Sequence, residues 1–294
     1  MLTLTLRHSI VFVTLEYNFS SEDRLTGVKL MKPVTQDLHV HSSLSKCGSV
    51  EATVENMLKA AEKQGLKTIG FSDHCWAKEL PGVSSWYSGQ DIDHVQKIRE
   101  GIPADVKGVN ILVGCETEYI GGGISGMNRE LSQCFDFVWL PANHFHQKGF
   151  VVPEDLGAGG PAAVSELLYR RFMEAVNLGF GNGIVHPFVP MGFLEWEADI
   201  LNGISHAMYE NCFRSASQAN LSIEIHTHAV TCDTCIASNG FSSIYLAIYT
   251  IARECGCKFT FGTDAHHPDR LSGYERMGKF AESCGINREF YAYP

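Results

Sequence analysis

The chain carries the segment DLHVHS at residues 37–42, in which two histidines alternate with apolar residues. This alternation predicts a β-strand over residues 37–41, and side chains two apart in a strand point to the same side. His39 and His41 can therefore bind one ion together through two imidazole nitrogens. Neutral imidazole suits zinc, iron and manganese ions. The segment thus predicts a strand that carries a pair of metal ligands.

Six further apolar runs also end at or beside a residue of the metal-ligand type. They predict strands over residues 67–74, 110–116, 135–143, 183–186, 221–226 and 258–264. Apolar residues at helical spacing predict helices near residues 54–61, 92–98, 162–178 and 244–254. Strands that alternate with helices favour parallel strands with crossover connections. Because the carboxyl ends of the strands of a parallel α/β barrel meet on one face, we expect these distant residues to converge in one pocket.

The ligand-type residues at the strand ends form an ordered set along the chain. A single histidine at a strand end is more often a core or surface residue than a ligand, but here every predicted strand ends in this way. The spacing of Asp264 and His266 repeats that of His39 and His41, and a bridging carboxylate such as Glu116 or Asp264 can hold two ions close together. The set comprises His39, His41, His74, Glu116, His144, His186, Glu224, His226, Asp264 and His266.

The same segments match a known family of metal-dependent proteins. The motifs are DLHVHS (37–42), FSDH (71–74), GCE (114–116), NH (143–144), IVHP (184–187) and GTDAH (262–266). In order and spacing they resemble the PHP (polymerase and histidinol phosphatase) superfamily, nearest its histidinol-phosphatase-like branch. The resemblance implies a distorted (β/α)7 TIM-like barrel and two or three divalent ions, such as Zn, Mn or Fe. The implied ligands are His39, His41, His74, Glu116, His144, His186, Asp264 and His266.

Two positions depart from the family pattern. Many members have a histidine or an acidic ligand shortly after the first histidine pair, where this chain has Ser45, Lys46 and Cys47. Cys47 is either a thiolate ligand or a sign that the site lacks this contact. His226 stands where the branch usually has an uncharged polar residue, two residues after Glu224.

Composition narrows the class of partner. With 294 residues, 45% of them hydrophobic, the chain can bury one sizeable core. A net charge of -10 argues against binding to nucleic acid or to an anionic membrane, although bound metal ions can still attract a small phosphorylated substrate. Ten cysteines without a signal-like start indicate reduced thiols in a cytoplasm. The oligomeric state is left open.

Residues 1–30 match no regular element that leads into the first predicted strand. We expect them to be a loosely attached extension, or Met31 to be the natural start, with the hydrolase domain at residues 31–294. An ordinary edge hairpin is the alternative.

These observations predict a metal-dependent phosphoesterase, which hydrolyses a small phosphomonoester with a metal-activated hydroxide. Asp264 would lie where charge develops, and either His226 or a metal-bound water would protonate the leaving group. Asp37 and Asp73 would orient imidazoles or cap the backbone. The alternatives are a histidinol-phosphate phosphatase specifically, a phosphodiesterase or nuclease module, and an inactive metal-binding regulatory domain.

Overall fold

The computed structural model describes residues 34–293, so the predicted extension at residues 1–30 lies outside the described part of the chain. The strands are β1 (Gln36–Val40), β2 (Thr68–Phe71), β3 (His74–Cys75), β4 (Asn110–Val113), β5 (Cys115–Thr117), β6 (Tyr119–Gly121), β7 (Ile124–Ser125), β8 (Val138–Pro141), β9 (Gly183–Val185), β10 (Ser222–His226) and β11 (Phe259–Gly262). The α-helices are α1 (Val54–Lys63), α2 (Ile92–Val95), α3 (Gly160–Val176), α4 (Glu197–Gly203), α5 (His206–Gln218), α6 (Thr227–Thr231), α7 (Ser243–Glu254) and α8 (Tyr274–Ser283). Short 3-10 turns lie between them, at Gln96–Gly101, Leu131–Cys134, Leu156–Gly159, Leu194–Trp196, Pro268–Arg270 and Arg288–Phe290.

Two parallel sheets form the centre of the fold. One has the order β1-β2-β4 and the other β11-β10-β9-β8-β5-β3, while β6 and β7 form a small antiparallel pair. The predicted strands over 67–74 and 110–116 are each divided in two, because β2 and β4 pair in the first sheet while β3 and β5 pair in the second. In the second pair, His74 lies directly opposite Glu116. The division therefore places two predicted ligands side by side.

The outer strands β1 and β11 meet through a short contact. The Asp264 amide donates to the His39 carbonyl at 2.8 Å, and the His41 amide donates to the Ala265 carbonyl at 2.9 Å. This contact is an isolated bridge between Val40 and Ala265. The prediction of an α/β fold with parallel strands is confirmed, whereas no continuous ladder joins β1 to β11 in the described residues. None of the helices in residues 34–293 has the length and hydrophobicity needed to cross a lipid bilayer.

A small apolar cluster lies apart from the main core, within the sheets. It consists of Leu38, Phe137, Trp139 and Val185. The Phe137 ring lies against Gly70 in β2 and Gly114 between β4 and β5. A Cβ atom built at Gly70 would come within 2.8 Å of the ring, and one built at Gly114 would come closer still. Close-packed interiors leave no room for an added methyl group. The glycine at position 114 is therefore required by the size of Phe137.

We predict that Gly114→Ala destabilises the fold by about 3 kcal/mol, because the new methyl group must displace the Phe137 ring. Thermal unfolding should show a melting temperature lower by roughly 6–12 °C. Gly101→Ala is the matched control, since its Cβ would meet only the Val54 side chain, at 3.1 Å. Equal melting temperatures for wild type and the Gly114 variant would contradict this account of the core.

Candidate metal centre

The carboxyl ends of the strands bring all the predicted ligands together. β1 carries His39 and is followed directly by His41, β3 begins at His74, and β5 carries Glu116. The other predicted ligands follow β8, β9 and β11 in the chain: His144, His186, Asp264 and His266. Their side chains form overlapping groups, and within each group the candidate ligand atoms lie within 4.8 Å of one another. These groups are His41–Cys47–His74–His266, His39–His41–Glu116, His39–His186–Asp264 and Glu116–His144–His186.

Glu116 is the centre of this cluster. Its Oε1 lies 2.9 Å from Nε2 of His186 and 3.3 Å from Nε2 of His144. Its Oε2 lies 3.3 Å from Nδ1 of His74 and 3.5 Å from Nε2 of both His39 and His41. The carboxylate is 1% exposed, so solvent does not compensate its charge. One buried carboxylate thus touches five imidazoles.

Asp264 lies on the solvent side of the same rings. Its Oδ1 lies 3.0 Å from Nε2 of His41 and 3.5 Å from Nε2 of His39, and its side chain is 22% exposed. Its backbone is left-handed, with φ at 54°, and that of His186 has φ at 33°. Such conformations are uncommon in residues other than glycine and concentrate at functional sites. The backbone therefore places both side chains in the cluster at some conformational cost.

Hydrogen bonds to Nδ1 fix the direction of four rings. Nδ1 of His39 donates to Glu224 at 2.8 Å, and Nδ1 of His144 donates to Glu118 at 2.6 Å. The acceptor for His186 is Asn143 Oδ1 at 2.7 Å, and that for His266 is the Asp264 carbonyl at 2.7 Å. A proton on Nδ1 leaves the lone pair of a neutral ring on Nε2, which faces the cluster. This arrangement is typical of histidines that bind metal ions.

Glu118 contacts the cluster and was missed by the sequence-based prediction. It is fully buried and also accepts hydrogen bonds from the Tyr87 hydroxyl at 3.0 Å and from Gln147 at 3.1 Å. The available signal was its position two residues after Glu116. A second acidic side chain beside a predicted ligand needs a partner if it is buried, and His144 is that partner.

Asp37 and Asp73 cap the backbone, which was one of their two predicted roles. Asp37 accepts from the amides of His39 and Thr263, at 3.1 and 3.2 Å, and from the Tyr274 hydroxyl at 2.7 Å. Asp73 accepts from the amide and the hydroxyl of Ser42, both at 2.5 Å. Its Oδ1 is 4.0 Å from Nδ1 of His41, which is too long for a hydrogen bond. The imidazoles are oriented mainly by Glu224, Glu118 and Asn143.

The electrostatic balance of the cluster favours a cation. Burial alone would raise the pKa of Glu116, but His144, His74 and His39 hold it well below its usual range. Asp264 behaves in the same way next to His39 and His41. Burial lowers the pKa of His74 well below its usual range and, with His266 nearby, that of His41 to about 4. The result is a pair of ionised carboxylates beside two rings, those of His41 and His74, that favour the neutral form.

Cys47 joins the cluster from the loop after β1. It falls in one group with His41, His74 and His266, so the residue at which the sequence departs from the family pattern lies within the cluster. Its Sγ atom lies 3.1 Å from the Ser45 hydroxyl. The geometry is compatible with a thiolate ligand.

His226 and His146 lie at the edge of the cluster. Nδ1 of His226 accepts a hydrogen bond from the His228 amide at 3.2 Å. Its Nε2 lies 3.8 Å from Asp264 Oδ2 and has no hydrogen-bond partner among the described residues. His146 lines the adjoining cavity, and burial together with the nearby His144 lowers its pKa to about 4.

Glu197, His228 and Cys232 form a separate polar group. Glu197 accepts hydrogen bonds from His228 Nε2 at 2.6 Å, Cys232 Sγ at 2.9 Å and the Tyr245 hydroxyl at 2.9 Å. Burial alone would raise the pKa of Glu197, but these bonds lower it to about 2. Its acceptors are satisfied by the protein itself, and the group connects α4 to α6 and α7.

The sequence matches the PHP domain family over residues 37–268, and the chain belongs to this family. This match covers most of the chain and includes all eight positions that the resemblance implied as ligands. It confirms the prediction of a metal-dependent hydrolase of the phosphatase class. No functionally curated protein sequence matches the chain.

The fold is similar to that of a candidate histidinol phosphatase, HisK, from Listeria monocytogenes. The two share 15% sequence identity over 82% of this chain and 98% of that chain, with a TM-score of 0.61. At this identity the likeness concerns the fold. A structure from the pair YwqE of Bacillus subtilis and CpsB of Streptococcus pneumoniae, metal-dependent tyrosine phosphatases, matches at 14% identity over 88% of this chain and 96% of that chain. Its TM-score of 0.41 is too low to carry an argument.

We predict that Glu118→Gln weakens metal binding about 10- to 100-fold, because His144 loses the carboxylate that orients its ring. The measurement is a titration of the metal-free protein with zinc or manganese, followed by calorimetry. Glu55→Gln is the control, since Glu55 pairs with Lys59 on the exposed face of α1. Unchanged affinity in the Glu118 variant would show that this carboxylate is structural.

Proposed function

We propose that this protein is a metal-dependent phosphomonoesterase that acts on a small molecule. The observation that carries the proposal is the contact of the buried Glu116 carboxylate with five imidazoles, beside a cavity of about 570 Å³. We also propose that residues 31–294 form the catalytic domain, and that the two sheets together make the distorted seven-stranded barrel. The backbone hydrogen bonds between β1 and the residues after β11 support this second point.

The chemistry of the donor atoms fits divalent cations. Because His186 donates its Nδ1 proton to Asn143, its Nε2 in the neutral ring is an acceptor, yet it lies 2.9 Å from an acceptor oxygen of Glu116. His144 and His39 repeat this conflict at 3.3 and 3.5 Å. Two acceptors at such distances are stable only if they share a proton or a metal ion, and metal ions can take this place here. Imidazole with carboxylate selects zinc, manganese or iron.

The number of ligands supports more than one ion. A single structural zinc needs four ligands, whereas eight positions and Cys47 converge here in overlapping groups. We assign His39, His41, His74, Glu116, His144, His186, Asp264, His266 and Cys47 to two or three ions. Ions bound there would lower the pKa of water and offset the charge of a phosphate group. The protein's own contribution is to hold the imidazoles and carboxylates in place.

The geometry favours a different role for His226 from the predicted proton donor. Its Nδ1 is occupied as an acceptor of the His228 amide, so the proton of the neutral ring is on Nε2. A second proton on Nδ1 would break that bond. We therefore propose that the Nε2–H of His226 donates a hydrogen bond to an anionic oxygen of the substrate beside Asp264. Protonation of the leaving group is left to solvent.

Lys148 is the cationic residue that lines the cavity in the described chain. Its ammonium lies 5.0 Å from the centre of the Phe193 ring and faces the same cavity as His146 and Gln147. A cation here suits the second charge of a phosphomonoester, which a phosphodiester lacks. This favours the monoester over the nuclease alternative.

We predict that the purified protein releases phosphate from small phosphomonoesters, that chelation abolishes this activity, and that Asp264→Asn lowers kcat more than about 100-fold. Removing a ligand should cost more than removing the partner of a ligand, which is worth about 10- to 100-fold. Asparagine is chosen because it tolerates the left-handed backbone at this position. The melting temperature of the metal-free variant should be close to that of the wild type.

Asp269→Asn is the matched control, since the Asp269 side chain is 92% exposed. Cleavage of phosphodiesters without monoesterase activity would support the nuclease alternative instead. Full metal occupancy without hydrolysis of any ester would support the regulatory one. A strong preference for histidinol phosphate among amino and neutral esters would support the specific phosphatase.

We predict that Cys47→Ser loses one metal equivalent per chain at a fixed free metal concentration, because the softer thiolate is replaced by a poor ligand. Metal content of the equilibrated protein is the measurement. Cys134→Ser is the control, since Cys134 is exposed and outside the cluster. The same metal content in both variants would make Cys47 a bystander.

A further inference from the structure

The mouth of the cavity has an aromatic wall next to the metal centre. The Trp86 ring is 36% exposed and stands edge-on to the His74 ring, with the ring centres 5.0 Å apart. Phe150 and Met191 also line the cavity. If the ligand cluster binds the phosphate group of a substrate, the organic group of that substrate lies against this apolar surface.

The wall is fixed in position by the loop that carries Cys47. The Lys46 ammonium donates to the carbonyls of Trp86 at 2.6 Å, Ser88 at 2.9 Å and Ser85 at 3.3 Å. Gln90 adds a hydrogen bond to the Trp86 carbonyl at 3.0 Å and accepts one from the Lys46 amide at 2.8 Å. Trp86 is thus held at a set distance from the ligand cluster, although its ring remains partly exposed.

The charges around the cavity favour a substrate whose leaving group is uncharged. Among the lining residues, the carboxylates are Glu116 and Asp264, and both face the imidazole cluster. No other carboxylate of the described lining is free to pair with an amine on the substrate. A substrate group in contact with Trp86 gains most if it is neutral, flat and apolar, because aromatic faces and edges attract one another.

We infer that the preferred substrates are aryl phosphomonoesters, and that Trp86 is the residue that selects the aromatic group. This inference rests on the proposed phosphatase function. In the reaction, the oxygen of water forms a new bond to phosphorus and the ester P–O bond breaks. The electron pair leaves with the aryl oxygen, which takes a proton from solvent, and the products are a phenol and inorganic phosphate.

The test compares 2-naphthyl phosphate with glycerol phosphate in the metal-loaded enzyme. Trp86→Ala should raise KM for the naphthyl ester about tenfold, with kcat within about threefold, because an interaction that is equally strong in the ground and transition states affects binding alone. The ratio of kcat/KM for the naphthyl ester to kcat/KM for glycerol phosphate should therefore fall about tenfold. For Trp86→Phe, KM for the naphthyl ester should lie close to the wild-type value. Val50→Ala is the control, since Val50 is 81% exposed and outside the cavity.

Equal losses for both esters, or no change for either, would overturn the role of Trp86. If the wild type hydrolyses neither ester, the proposed function fails, and direct binding of the non-hydrolysable 2-naphthyl phosphonate then tests the wall separately. Tighter binding by wild type than by Trp86→Ala supports the aromatic subsite in that case. Equal binding overturns it.

Discussion

The buried charge of Glu116 is the constraint on which the arrangement of the site depends. An ionised carboxylate that is 1% exposed is costly unless opposite charges or hydrogen bonds compensate it. Its neighbours are imidazole nitrogens. In His144 and His186, Nδ1 already donates a hydrogen bond, so Nε2 of the neutral ring is an acceptor that cannot compensate the carboxylate. Compensation therefore requires protons or metal ions among the rings. Burial lowers the pKa of His39 and of His144, but Glu224 and Glu118 respectively, together with Glu116, raise both above the usual range. The same carboxylates would attract cations.

This constraint extends outward through the partners of the rings. Glu224 accepts from Nδ1 of His39 and from the amide of His186, so one carboxylate fixes two ligand positions. The Glu224 carboxylate fits there because the neighbouring strand has a glycine at position 262, where a Cβ atom would collide with this carboxylate. Asp37 connects the start of β1 to Thr263 after β11 in a similar way. The buried acids thus join the strands as well as the ligands.

The sequence allowed prediction of all seven strand regions and of the residues at their ends, since an apolar run followed by a ligand-type residue is a local signal. It did not predict the division at Ser72 and Gly114, which depends on which sheet each half joins. Helices α4, α5, α6 and α8 were also missed. The buried residues of α5, including Tyr209, Cys212 and Phe213, have helical spacing, but polar residues separate them and hide the pattern.

Residues that act through other residues were the least predictable part of the site. Glu118 contacts the ring of His144 and Asn143 contacts the ring of His186, and in each pair the two residues follow different strands. The sequence can indicate that a buried acid or amide needs a partner, but not which ring it will contact. His226 shows the same limit, because its Nδ1 partner decides which nitrogen keeps the proton. The residue type predicts that a histidine can either bind a metal ion or donate a hydrogen bond. Only the direction of its ring, set by neighbours, decides between the two.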